Sequence, residues 1–244
     1  MHPIICQIGP LTIYSYGVML AVAVFICTFL LEKEARKSGV DSNFIFDFCF
    51  WVVVSGIIGC RIFYILLNFS YFIQNPSEII MLQRGGLAWQ GGLIAGTLTA
   101  LWLINKQKLS IGRVLDLVAP YIALGQAIGR LGCFLNGCCF GREAPWGIYF
   151  PAHHARLHPT QLYESAGLLL IFFILKKFHG FKKNDGEIFV LYLVLASFER
   201  FIVEFFRADH TEFWWGLSIF QAMSLCFMTV ALYAYLSIKS RRGK

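Results

Sequence analysis

Seven arginines in this sequence keep no company with lysine: Arg61, Arg84, Arg130, Arg142, Arg156, Arg200 and Arg207 lie inside apolar stretches or in segments that contain no lysine at all. A guanidinium is planar and donates bidentately to phosphate or carboxylate, whereas an ammonium is a point charge. Arginines segregated in this way point to recognition of an anion. Arg130 is the sharpest case, because it sits in Gly129-Arg130-Leu131-Gly132-Cys133-Phe134-Leu135-Asn136-Gly137-Cys138-Cys139-Phe140-Gly141-Arg142 at the end of an apolar run. The glycines permit close helix approach and irregular backbone, which is tolerated at membrane depth only where it lines a protein cavity. Placing an arginine there costs ~2.5–3.5 kcal/mol on insertion scales, a cost that an anionic partner offsets. That partner is either a bound phosphate or a side chain such as Glu164, Glu199 or Glu204.

A second constellation is Glu199-Arg200-Phe201-Ile202-Val203-Glu204-Phe205-Phe206-Arg207. Arg200 and Glu204 stand at i and i+4 and Arg207 at i+7, so all three share one helix face. They either form a structural ion pair or converge on a phosphodiester. A third segment, His158-Pro159-Thr160-Gln161-Leu162-Tyr163-Glu164, introduces another apolar run, with Thr160 as the expected N-cap and His158 as a loop residue or a base. Gln90, within Gly85-Gly86-Leu87-Ala88-Trp89-Gln90-Gly91-Gly92, is a polar residue at membrane depth, and Tyr16 is a phenol at the outer interface or a member of an aromatic belt. Of the eight cysteines, Cys27, Cys49, Cys60 and Cys226 fall in apolar runs and read as core residues. Cys133, Cys138 and Cys139 lie near His153, His154 and His158, but adjacent cysteines do not make the Cys-x-x-Cys knuckle of zinc sites. The reading is therefore no metal, and a disulfide among the external cysteines.

The elements that must carry these residues are membrane helices. A chain of 244 residues at 57% hydrophobic and 14% charged has too few polar side chains to cover a soluble globule. A span needs about 20 mostly apolar residues, and stretches near Tyr14–Leu31, Phe44–Leu67, Gly86–Ile104, Val114–Leu135, Gln161–Leu175, Glu187–Phe206 and Leu217–Ile238 come close. The expected fold is thus an all-α integral membrane protein of about seven helices forming one polytopic domain over 1–244. Lys33, Arg36 and Lys37 follow the first span, Lys106, Lys108 and Arg113 the third, Lys176, Lys177, Lys182 and Lys183 the fifth, and Lys239, Arg241, Arg242 and Lys244 the last. By the positive-inside rule those segments are cytoplasmic and the N-terminus is external. The first 31 residues lack lysine and arginine, so the first run is expected to stay as a helix rather than be cleaved. Dispersal of the +7 charge among apolar runs argues against nucleic acid. No internal repeat supports a transporter.

Taken in order, Tyr16-Gly17, Gly56 through Arg61-Ile62-Phe63-Tyr64, Gly91-Gly92-Leu93, the Arg130 segment, the His158 segment, Arg200-Phe201-Ile202-Val203-Glu204-Phe205-Phe206-Arg207 and Leu217-Ser218-Ile219-Phe220-Gln221 resemble the bacterial prolipoprotein diacylglyceryl transferases. The resemblance covers nearly the whole chain. It implies a multi-pass protein of the bacterial inner (cytoplasmic) membrane that moves a diacylglyceryl group from phosphatidylglycerol to the lipobox cysteine of a prolipoprotein signal peptide and releases glycerol phosphate. No cofactor is implied; the partners are membrane lipids and prolipoproteins. By matching position, Arg130 holds the phosphate and is catalytic with Arg200, while Tyr16, Arg61, Gln90, Asn136, Gly141, His158, Glu204 and Arg207 belong beside the substrate. The chain departs from the family pattern at Gln90, where many members have histidine, and at Ala196-Ser197, where they have Tyr-Gly. Cys133 and Cys138 replace an asparagine and a glutamate. A catalytically silent paralogue that binds anionic lipid or a lipoprotein partner is the alternative reading.

Overall fold

The computed structural model describes residues 1–9, 11–81, 85–208, 212–214 and 216–240. Arg84, Arg241, Arg242 and Lys244, counted among the basic residues above, lie outside the described residues, as does the side chain of Lys239. Helices occupy every expected apolar stretch: α1 (Ser15–Lys37), α2 (Ser42–Leu67), the short α3 (Phe69–Gln74), α4 (Trp89–Lys106), α5 (Ile111–Asn136), α6 (Thr160–His179), α7 (Glu187–Glu204) and α8 (Ile219–Ser240). Four of these are long and apolar enough to cross a membrane by length and composition, at Ser15–Lys37, Ser42–Leu67, Ile111–Asn136 and Ile219–Ile238. Their outward faces carry Phe25, Phe50, Leu66, Phe227 and Val230, all largely exposed, a surface that only lipid solvates well.

The all-α expectation is corrected to mostly helical. Three antiparallel hairpins pair β1 (Ile4–Ile8) with β2 (Leu11–Tyr14), β3 (Glu143–Phe150) with β4 (Ala155–Leu157), and β5 (Glu212–Trp214) with β6 (Leu217–Ser218). Each hairpin is a self-paired way of satisfying backbone groups outside the helices.

The chain divides into two compact units, one of residues 1–31 and 112–244 and the other of 32–111. In the second unit α2 and α4 touch through glycine. A Cβ on Gly59 would stand 2.4 Å from Gly91 O, and one on Gly91 would stand 2.1 Å from Gly59 O. No side chain fits there, so the backbones meet directly, as small-residue interfaces allow. Arg61, two residues along α2, is buried and donates to the carbonyls of Ile79 (2.9 Å), Gly85 (2.7 Å), Gly86 (3.0 Å), Met81 (3.4 Å) and Glu78. One guanidinium thus ties Glu78, Ile79, Met81, Gly85 and Gly86 to the helix. Arg61→Ala is expected to leave several of these acceptors without a donor, each worth ~1–3 kcal/mol when buried. A drop of many degrees in the apparent melting temperature in detergent should follow; an unchanged melt would show the connection to be held by other means.

In the first unit, Ala119, Ala123 and Ala127 recur on one face of α5 and let Leu168, Ile171 and Leu175 of α6 and Ile188 and Tyr192 of α7 pack close. Asp116 of α5 is fully buried and caps α7 from outside that helix: Oδ2 accepts from Gly186 N (2.8 Å) and Oδ1 from Ile188 N and Phe189 N (both 2.9 Å). The Lys182 ammonium, 3.0 Å from Oδ2, balances its charge. A carboxylate satisfying orphan amides at the positive end of a helix fixes where α7 begins, and hence where α7 delivers Glu199, Arg200 and Glu204.

Candidate active site

Three helix termini of the first unit converge on one buried carboxylate. Glu164, one turn into α6 and 1% exposed, receives Arg130 from α5 (Nε to Oε2, 2.8 Å) and Arg200 from α7 (Nη1 to Oε1, 3.0 Å). Arg200 also meets Glu204 through Nη2 (2.8 Å), and Arg207 approaches the same carboxylate at 3.6 Å. Three guanidinium groups therefore share two carboxylates, both inaccessible to solvent. The Arg130 and Arg200 side chains keep 30% and 28% of their surface open. Arg200 Nη1 donates to Glu164 Oε1 (3.0 Å), whereas Glu164 Oε2 and Glu204 Oε2 face their guanidinium nitrogens in ion contacts without a directed hydrogen bond. Of the partners anticipated for the arginines, Glu164 and Glu204 are used. Glu199 forms no ion pair among the described residues, and its buried Oε1 takes no hydrogen bond.

Glu204 is anchored from its other side by the start of α8. Ser218 Oγ donates to Glu204 Oε1 (3.0 Å) and accepts from Gln221 N (3.2 Å), while Gln221 Oε1 accepts from Ser218 N (2.9 Å). This is a capping box, and it gives the Leu217–Gln221 motif its physical meaning.

Gly141 sits where three segments cross. It donates to His158 O (2.9 Å) and bridges Arg207, and a Cβ there would come 2.3 Å from Phe206 O and 2.6 Å from His158 Cβ. Its contribution is room for backbone. His158 lies in an aromatic cage, its ring 4.6 Å from that of Trp146 and 5.3 Å from that of Phe206, with Nδ1 3.2 Å from the Tyr163 hydroxyl. Thr160 is not the N-cap expected. It is the first helical residue, and its buried hydroxyl donates to Cys139 O (2.7 Å), while Gln161 Nε2 donates to Cys138 O (2.5 Å). Tyr16 packs against the end of α5, where a Cβ on Gly132 would lie 3.3 Å from its ring. Asn136 is the last residue of α5 and its amide hydrogen-bonds Cys138. In the second unit, Gln90 is exposed in the first turn of α4. Arg61, assigned to substrate, has its donors taken by backbone carbonyls as described.

The expected disulfide is not formed, all eight cysteines being free thiols. Gly137 (φ +76°) and Cys139 (φ +62°) turn the chain so that the sulfurs of Cys133, Cys138 and Cys139 all lie within 4.8 Å of one another. Hydrogen bonds from its two neighbours hold the Cys138 thiol well below its ordinary range.

A groove of about 620 Å³ runs beside the ion-pair network between α6 and α7. Its walls include Trp146, Tyr163, Leu170, Phe198, Glu199 and Phe206. The site thus sets two partly open guanidinium groups beside an apolar slot between α6 and α7.

Sequence comparison places relatives along nearly the whole chain. A phosphatidylglycerol–prolipoprotein diacylglyceryl transferase of Clostridium tetani is 32% identical over 242 residues, 96% of this chain and 97% of the relative. Proteins of the same name from Trichormus variabilis (35% over 257 residues, 98% and 91%) and Streptococcus pyogenes (34% over 254 residues, 100% and 97%) are similar to the same extent. With the family model for prolipoprotein diacylglyceryl transferase matching residues 3–237, the chain belongs to the prolipoprotein diacylglyceryl transferase family.

Proposed function

We propose that this protein transfers the diacylglyceryl group of phosphatidylglycerol to the cysteine thiol of a prolipoprotein lipobox. The observation that carries the reading is the convergence of Arg130 and Arg200 on Glu164 beside the α6–α7 groove. The sulfur attacks the glyceryl carbon, the bond from that carbon to the phosphate oxygen breaks, and the thiol proton passes to solvent. The phosphodiester monoanion leaves as a phosphate monoester bearing a second negative charge. Charge that grows during bond breaking is what preorganised donors stabilise, and the half-open Arg130 and Arg200 supply them. The buried carboxylates hold both guanidinium groups in place before substrate arrives, so little reorganisation is needed. The apolar groove suits an acyl chain. A free cysteine thiol of pKa about 8.5 is a few per cent thiolate near neutrality, so no dedicated base is required and the rate rises with pH until the substrate thiol is ionised.

The test is direct: purified protein, a lipobox peptide and phosphatidylglycerol should give the thioether peptide and glycerol phosphate in equal amounts. Lipid binding without product would favour a silent paralogue.

We also read the chain as one polytopic domain of the bacterial inner membrane, with seven spans, the N-terminus external and the C-terminus cytoplasmic. The alternation of basic segments along the sequence supports this. Single cysteines placed at Ser38, Gln107 and Ser240 should be labelled from the cytoplasm and one at Asn75 from outside. Cytoplasmic labelling at Asn75 would overturn the orientation.

A further inference from the structure

The turn that closes α5 gathers more sulfur than packing calls for. Cys133, Cys138 and Cys139 are half-buried, with all three Sγ atoms within 4.8 Å of one another. The geometry is fixed by its surroundings: Cys138 N donates to Cys133 O (3.2 Å), and the carbonyls of Cys138 and Cys139 are held by Gln161 and Thr160, both fully buried. Cys139 itself adopts a left-handed φ of +62°, a conformation that a non-glycine residue adopts only where its surroundings impose it. A metal bonded to three thiolates at ~2.3 Å sets its sulfurs about 4 Å apart in a trigonal plane, a separation that small rotamer changes reach from the observed one. No histidine or carboxylate joins the group among the described residues. Structural zinc takes four protein donors in a tetrahedron; copper(I) is soft, prefers thiolates and is satisfied by three.

We propose that Cys133, Cys138 and Cys139 form a three-sulfur binding site for copper(I). Sulfur–hydrogen bonds are exchanged for sulfur–copper bonds, the protons leave to the buffer, and no electron is transferred. The site stands on the cysteine geometry alone and is independent of the transferase chemistry.

Reduced full-length protein in detergent, titrated without oxygen against copper(I) held by bicinchoninate, should withdraw about one equivalent per chain. Cys226→Ser should withdraw the same amount. Cys138→Ser and Cys139→Ser each delete a ligand, and their loss in affinity should exceed the roughly 10–100-fold seen when groups one step removed from a metal are changed. A second measurement needs no variant: copper should shield Cys133, Cys138 and Cys139 of the native protein from iodoacetamide, read by peptide mass, while Cys226 stays reactive. Equal alkylation with and without copper would overturn the site, as would undiminished copper withdrawal by both serine variants.

Discussion

Arg130→Lys is expected to lower diacylglyceryl transfer at least about a hundredfold, the scale of removing one preorganised donor from a developing anion, while the protein still inserts and folds. The lysine keeps the positive charge opposite Glu164, so the buried carboxylate is not orphaned. What it loses is the fork. Arg130 meets Glu164 through Nε at 2.8 Å and leaves 30% of its side chain accessible; an ammonium cannot satisfy Glu164 and span two phosphate oxygens in the same plane. The comparison to make is turnover per folded molecule, with gel filtration and thermal melting as the measure of folding. Near-normal turnover would reduce Arg130 to a structural cation. A failure to fold would instead show that the guanidinium serves the scaffold.

The largest loss of stability is expected from Glu164→Ala. Removing one partner of a buried ion pair typically costs ~3–5 kcal/mol because the other charge is left uncompensated; here Arg130 loses its carboxylate, while Arg200 loses one of two and keeps Glu204. At about 2–4 °C per kcal/mol for a chain of this size, the apparent melting temperature should fall by roughly 10 °C or more. Glu164→Gln preserves the shape and should fall between the wild type and alanine. An unchanged melt in both variants would mean that Arg130 and Arg200 are balanced by something other than this carboxylate. The two substitutions also separate the roles within one contact: the arginine variant should spare folding and the glutamate variant should not.

The sequence is a good guide to the helices because apolar length is a strong signal that neighbouring segments cannot easily override. Expected and observed boundaries differ by a few residues at most ends, as with Gln161–Leu175 against the observed Thr160–His179. The hairpins are missed for a related reason. Runs such as Ile4–Ile8 and Leu217–Ser218 are too short to show a period, and they become strands only where the chain reverses on itself before a helix. Glu164 was visible as a possible partner of Arg130, but that it bridges two arginines from different helices is a fact of three-dimensional convergence. The cysteine cluster escaped because spacing rules assume a short regular knuckle, whereas these sulfurs are assembled by Gly137 and by Thr160 and Gln161 from another helix. At Arg61 the residue type suggested phosphate, and the partners it meets, the carbonyls of Glu78, Ile79, Met81, Gly85 and Gly86, could be seen only in three dimensions.

The contact between Ser218 and Glu204 has a consequence for the order in which this protein is made. Glu204 is synthesised before the residues that hold its second oxygen, and that oxygen is bound only once the first turn of the final helix has formed. A nascent chain that has already exposed Arg130, Glu164 and Arg200 therefore still carries a carboxylate held by arginine through one oxygen alone. The last helix works as a completion signal, and a chain cut short before Ser218 is expected to be inert in the membrane rather than an early, unregulated consumer of lipid.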